Sequence, residues 1–449
     1  MNKKSQYLYL IAIIKLFIIN NDLNVYCNSE YDLDSNNVFS INISELENEL
    51  IPTLDDNATD TSDKLNSSIN MVVFSTKYQR LSTQLSLKYS CKIDILSPMW
   101  FTLIPDRSNP NSLKLKIDGH NNYKKDLIDY YKELVNNCNA KKLQLIDDSN
   151  YIPDFGIKDP SNAIINSNKD IKASMSLVIP RLSCEHNFRF LSDQTSFFNQ
   201  KSIEVLSNDI IKRLKHYKLD GIYLDCLDLQ INNDFKPSYI DLIKILGSKM
   251  RDNNKIFILG IHPISEKVNH FIDSKSIKNT YTNYVDYFYI NIGNYNIYTR
   301  KPINYYNAPI YWMDASVKEY SDFNNMNKID KNTLFKDLNI LSKFIVNIPF
   351  NGIQYVIKEN EKASITNIDS TTFTSIIVNA KSKNKLSHKW DVYGAEHLIH
   401  VVNDYSDIYI SYPTKKFISE RLNYIKEYNI GGLAINDLML GFENMMSYF

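Results

Sequence analysis

Leu219-Asp220-Gly221-Ile222-Tyr223-Leu224-Asp225-Cys226-Leu227-Asp228 is the stretch on which the fold turns. It is short, mostly apolar and ends in acids. A run with Ile203, Leu206, Ile210 and Leu214 on one helical face precedes it, and a loop and another helix follow. A continuous apolar run between helices reads as a parallel strand covered on both faces, with its C-terminal end delivering carboxylates to a site. Strand alternation puts Tyr223, Asp225 and Leu227 on one face and Ile222, Leu224, Cys226 and Asp228 on the other. Asp225 is then the inward carboxylate, and Asp228 reaches the mouth only if the strand ends before it.

Similar runs recur on both sides of this one. Met71 to Phe74, Ile93 to Leu103 (interrupted by Pro98), Leu113 to Ile117 and Ser176 to Leu182 come before it. Ile256 to Ile261, Val285 to Ile292, Phe344 to Ile348 and Gly431 to Ile435 come after. Between them lie helical spacings: Leu127, Tyr131, Leu134 and Cys138, then Leu242, Leu246 and Met250 behind a Ser238 cap, then Ile418, Leu422 and Ile425 behind Pro413-Thr414. Residues 353–411 are less regular, with strand-like pieces at 375–378, 400–402 and 408–410. About eight strand–helix units predict an α/β fold, a (β/α)8 TIM barrel with insertions, one of them small and irregular between strands seven and eight. A doubly wound sheet is the competitor. It is disfavoured because Phe74-Ser75-Thr76-Lys77, not a glycine-rich loop, follows the first strand.

The 449 residues allow one large domain with additions, and 43% apolar residues supply its core. Lys+Arg and Asp+Glu are equal at 51 each, which argues against nucleic acid or an anionic membrane as the main partner. Lys3 and Lys4 followed by the apolar run Leu8 to Ile19 have the layout of a signal peptide, too short for an integral membrane span. The expected organisation is a signal peptide over 1–27, a flexible lead-in over 28–69 and the barrel over 70–449. Three sequons place candidate glycans at Asn42, Asn57 and Asn66. The expected location is secreted, or the secretory or lysosomal lumen. None of the five cysteines has C-x-x-C spacing or a companion histidine cluster, so no metal is expected. Disulfides are allowed without an assigned pairing, and Cys226, inside an apolar strand, is expected as a buried free thiol.

Asp220-Gly221-x-x-x-Asp225 resembles the strand-four motif D-G-x-D-x-D-x-E of glycoside hydrolase family 18, and more narrowly its chitinase-like branch. Ile95-Leu96-Ser97-Pro98-Met99-Trp100, Val178-Ile179-Pro180-Arg181-Leu182, Asn307-Ala308-Pro309, Trp390-Asp391 with Glu396-His397, and Tyr412-Pro413-Thr414 follow in the family order. The resemblance implies a cleft for N-acetylglucosamine polymers. There a Glu ending the motif protonates the glycosidic oxygen and the substrate's own acetamide attacks. It also implies an Asp that orients the acetamide, a Tyr after strand six that hydrogen-bonds it, and a Trp on strand eight beneath the sugar. Carried onto this chain, the orienting Asp is Asp225 and the acid position is Leu227. The first inward Asp is Tyr223, the strand-six pair falls on Gly293-Asn294, and the strand-eight Trp falls on Asn436.

Expected substrate-binding residues are therefore Tyr223, Asp225, Trp100, Asn294, Tyr295, Trp390, Glu396 and Asn436. Trp100 and Trp390 offer faces on which sugars stack, whereas Trp312 reads as packing. Arg181, Glu185 and His186 belong to the strand-three rim. Leucine cannot donate a proton, so Asp225 and Asp228 are the remaining candidate acids. Three readings follow: a chitinase-like protein that binds oligosaccharides without cleaving them, a glycosidase that uses Asp225 or Asp228, and an interaction scaffold meeting a protein receptor in the secretory or endolysosomal pathway. No cofactor is implied.

Overall fold

Eight apolar stretches of the chain close into one cylinder, because each is too apolar to leave either face in water. The computed structural model describes residues 70–75, 85–106, 114–119, 125–148, 177–184, 199–267, 269–293, 295–299, 305–321, 340–358, 363–382, 385–403 and 405–449. The expected signal peptide, the lead-in, Asn42, Asn57 and Asn66 lie outside these residues, as do Asn294, Glu185 and His186.

The order is β1 (Asn70–Ser75), β2 (Ile95–Pro98), β3 (Phe101–Asp106), β4 (Lys114–Asp118), α1 (Lys125–Asp148), β5 (Leu177–Val178), β6 (Arg181–Cys184), α2 (Gln200–His216), β7 (Gly221–Asp225) and α3 (Lys236–Asp252). Then come β8 (Ile256–Ile261), α4 (Ser274–Asn279), β9 (Tyr287–Ile290), α5 (Ile310–Ser321), β10 (Phe344–Asn347), β11 (Gly352–Ile357), β12 (Ser364–Ile368) and α6 (Ser370–Ser382). β13 (Leu386–Asp391), β14 (Glu396–Asn403), β15 (Ser406–Ser411), α7 (Lys415–Glu427) and β16 (Gly432–Asn436) complete it.

The main sheet runs β4-β3-β6-β7-β8-β9-β10-β16-β1-β2-β5 and is parallel except for the β3–β4 pair. β2 and β3 are two halves of one stave, and so are β5 and β6. The first halves pair as Ile95↔Leu177 and the second as Phe101↔Leu182, which closes eight staves into a ring. The run over 93–103 is broken beyond Pro98, the interruption expected there, and the run expected as a single strand over 176–182 is broken as well. Pro98 and Pro180 lack the N–H a ladder needs, and the breaks fall beside them.

One residue from each stave fills the barrel: Val72, Ile95, Ile179, Tyr223, Ile258, Tyr289, Ile345 and Ala434. The opposite strand faces and the helices form a second, larger core. Burying such residues is worth roughly 25 cal/mol per Å² of apolar surface, which is what drives the closure.

Several local expectations change. Strand four ends at Asp225 and a 3-10 turn takes Leu227–Gln230, so strict alternation stops before Leu227. Ser238 is not a cap; Pro237 already sits in the first turn of α3, where its missing N–H costs nothing. Residues 375–378 belong to α6, with Phe373, Ile377 and Ala380 buried at spacings of four and three. The insertion between strands seven and eight is regular: an antiparallel sheet ordered β12-β11-β15-β14-β13 with α6 against it. Thr414 does cap α7, its hydroxyl accepting from the Phe417 amide at 3.2 Å. Cys226 is not a free thiol. It is bonded to Cys184, and Cys91 to Cys138.

Candidate functional site

Strand geometry carries the inward face two residues beyond the apolar layer, to the C-terminal end where barrels of this kind hold their sites. The positions reached are Ser97, Arg181, Asp225, Gly260, Asn291, Asn347 and Asn436. The apolar filling thus ends beneath a polar ring.

Asp225 is the hub. Its Oδ2 accepts from Arg181 Nε at 2.6 Å and from Arg181 Nη2. The Tyr223 hydroxyl is hydrogen-bonded to the same carboxylate. Tyr223 meets Tyr289 edge-on, ring centroids 5.2 Å apart, and the Tyr289 hydroxyl donates to Asn436 Oδ1 at 3.0 Å. Asn347 Nδ2 donates to Asn291 Oδ1 at 3.0 Å. Gly260 makes room for the hub, because a Cβ there would stand 3.1 Å from the Tyr223 hydroxyl and 3.3 Å from Asp225 Oδ1. Among the described residues Ser97 Oγ, Asn347 Oδ1 and His262 Nδ1 are buried without a hydrogen-bond partner.

Electrostatics fix the protonation states. Burial opposes the Arg181 charge, but Asp225 outweighs it and keeps the guanidinium firmly protonated. Burial, reinforced by the Asp225 charge, pushes the Tyr223 hydroxyl well above its ordinary range. Burial likewise raises Tyr289, and raises Tyr298 to about 12, helped there by Asp225 and Asp228. His262 is pulled down to about 4 by burial, although its Nε2 donates to the Leu227 carbonyl at 2.9 Å. At neutral pH the ring is one ion pair set among neutral donors and acceptors. Such groups suit sugar hydroxyls and amides.

Of the expected binders, Tyr223, Asp225 and Asn436 come together at the ring. Asp228 lies on the turn behind Leu227, where its charge acts on His262 and Tyr298. Other expected binders go elsewhere. Trp100 is only 6% exposed and packs in the outer core, not in a cleft. Trp390 turns to α7, where Lys416 Nζ sits 4.3 Å above its ring. Tyr295 is buried edge-on against Trp312, at 5.0 Å, and Trp312 is packing as expected, with Nε1 donating to the Ile264 carbonyl at 2.9 Å.

Glu396 is fully buried and is a structural carboxylate. It accepts from the Asn307 amide at 2.8 Å, the Ala308 amide at 2.7 Å and the Ser411 hydroxyl, and faces Arg421 at 3.5 Å. Both oxygens are committed to holding the insertion against the barrel, which leaves no oxygen for a sugar.

Sequence reasoning missed Ser97, Tyr289, Asn291, Asn347 and His262, and it gave Arg181 no partner. The signal was present for Ser97, Tyr289, Asn291 and Asn347, which keep the inward parity of their staves at or just beyond an apolar run, whereas His262 stands past the end of β8. Among the described residues no group of three or more His, Cys, Asp or Glu could hold a metal ion.

A closed eight-stave parallel barrel with a polar, carboxylate-centred ring at the strand C-termini defines a (β/α)8 barrel of the TIM type. The sequence signature of glycosyl hydrolases family 18 matches residues 126–439, so the chain belongs to that family. The spore cortex-lytic enzyme SleL of Bacillus megaterium QM B1551 is similar in structure at 13% identity and a TM-score of 0.57, over 84% of this chain and 73% of that one. A chitinase from Chromobacterium violaceum ATCC 12472 is similar at 11% identity and a TM-score of 0.55, over 84% and 97%. A family 18 chitinase from Cycas revoluta, solved in complex with (GlcNAc)3, is similar at 12% identity and a TM-score of 0.51, over 82% and 94%. These likenesses establish the fold. No curated protein matches the chain in sequence.

Proposed function

We propose that this protein binds N-acetylglucosamine-type oligosaccharides in the barrel mouth and does not cleave them by its family's route. One observation carries the reading. Leu227 occupies the acid position, and the inward carboxylate that remains, Asp225, is committed to Arg181 and Tyr223. An acid held in an ion pair is a poor proton donor. The Asn291 and Asn436 carboxamides and the Arg181 guanidinium, the members of the ring that stay partly exposed, supply donors and acceptors for an acetamido sugar. The complex of the Cycas chitinase with (GlcNAc)3 supports that ligand class.

Within the family, the sequence pattern resembles the chitinase-like branch that includes chitinase domain-containing protein 1. The two disulfides, together with the signal-peptide layout expected over residues 1–27, support a place in the secretory or lysosomal lumen, where disulfides persist. Titration calorimetry with chitotetraose tests the reading: saturable binding is expected, and its absence across a panel of amino-sugar oligomers overturns it in favour of the scaffold meeting a protein receptor. The alternative glycosidase rests on Asp228, whose charge reaches His262 and Tyr298 at the rim.

A further inference from the structure

The two disulfides sit in unlike places. Cys91–Cys138 joins the short turn before β2 to α1. Cys184–Cys226 joins the ends of β6 and β7, with the Cα atoms 4.9 Å apart. Those strands pair as Arg181↔Tyr223, Leu182↔Leu224 and Ser183↔Asp225, and then pairing stops. The bond occupies the next rung.

It also occupies the reverse side of the wall. Cys226 points into the outer core, while Arg181 and Asp225 meet on the inner face. Their contact is diagonal, because Arg181 stands opposite Tyr223, two residues before Asp225. A slip of one residue moves a strand by about 3.3 Å and turns each side chain to the other face. The 2.6 Å contact would not survive it.

The turn that begins at Cys226 is tied to the mouth as well. The Leu229 amide donates to the Cys226 carbonyl at 3.1 Å. Within the turn, the Leu227 carbonyl takes His262, and Gln230 Nε2 donates to the Gly260 carbonyl at 2.6 Å and to the Tyr239 hydroxyl at 3.1 Å.

We propose that the Cys184–Cys226 bond is a positioning bond for the mouth: it fixes the register of β6 on β7 and thereby holds Arg181, Asp225 and the turn Leu227–Gln230 in the arrangement that meets a ligand. Its cause lies in the strand geometry, and its consequence for binding rests on the glycan reading above.

The test uses the full chain with Cys184→Ala/Cys226→Val, which keeps the buried site apolar. Cys184→Ser/Cys226→Ser is the second variant, and Cys91→Ser/Cys138→Ser the control. Hydrogen exchange is followed peptide by peptide, and chitotetraose binding by calorimetry. The first pair should unfold cooperatively like the wild type, with faster exchange confined to 181–184 and 223–230 and binding about tenfold weaker. The control pair should leave exchange in those segments unchanged. Wild-type exchange at 223–230 in the first pair overturns the proposal. So does faster exchange in all staves alike, or failure of both variants to fold, since each would make the bond a general brace. If the wild type binds no chitotetraose, the glycan reading fails and the exchange comparison still decides the positioning role.

Discussion

Arg181 and Asp225 meet diagonally across neighbouring staves, with Nε donating to Oδ2 at 2.6 Å and Nη2 reaching the same oxygen. The Asp225 side chain is 7% exposed and that of Arg181 31%. The carboxylate thus depends on a partner that water still reaches. Arg181→Met should destabilise the fold by about 2 kcal/mol, less than a fully buried pair would cost because the arginine side is partly solvated. Arg181→Met/Asp225→Asn should recover part of that loss, since no unpaired charge remains. Urea unfolding of both variants checks it, and a double variant less stable than the single one would contradict the coupling.

No turnover of a fluorogenic chitobioside is expected from the wild type. Asp225→Asn should leave that baseline unchanged and weaken oligosaccharide binding. Measurable release that vanishes in Asp228→Asn protein would instead establish Asp228 as the acid.

Two buried imidazoles make stability depend on pH. His262 and His397 are both pulled down to about 4, chiefly by burial; His388 and Lys416 add to the effect at His397. The unfolded chain takes up these protons near the ordinary value of 6.5, and the folded chain resists until about 4. Stability from these groups is therefore full above pH about 6.5, falls between about 6.5 and 4, and levels off below, by up to about 3 kcal/mol for each. Melting temperatures recorded from pH 7 to 4 check the slope. His397→Leu should flatten it, because neither nitrogen of His397 has a hydrogen-bond partner to lose.

Glu396→Ala should cost about 3–5 kcal/mol, since it strands the buried Arg421 together with two backbone amides. Arg421 is already held down to about 9 by burial, which Glu396 offsets. Thermal unfolding measures the loss, and a change below about 1 kcal/mol would contradict the anchoring role.

Much of the barrel was legible because its staves are continuous apolar runs, a pattern imposed by burial on both faces. Asp225 and Tyr223 were legible for the same reason: alternation along a strand follows from backbone geometry. Trp100, Trp390 and Glu396 were not. Each lies at or near a strand end, where one turn of the chain decides between mouth and core. Trp100 falls at the break made by Pro98, and Glu396 begins β14 but is held by the Asn307 amide, 89 residues away, and by Ser411 on the neighbouring strand. The region 353–411 looked irregular because its strands are only half-buried and one of its apolar stretches, 375–378, is helical.

Leu219 to Asp228 by itself determined a buried parallel strand, an inward Asp225, and a leucine where the family resemblance puts the acid. Those depend on side-chain identity and on a two-residue period, both written in the chain. Only the tertiary structure decided that Asp225 is paired with Arg181, that Cys226 is bonded to Cys184, and that the strand stops before Leu227. The first two are contacts between segments some forty residues apart, and all three are set by how the staves register against one another, which no local pattern encodes.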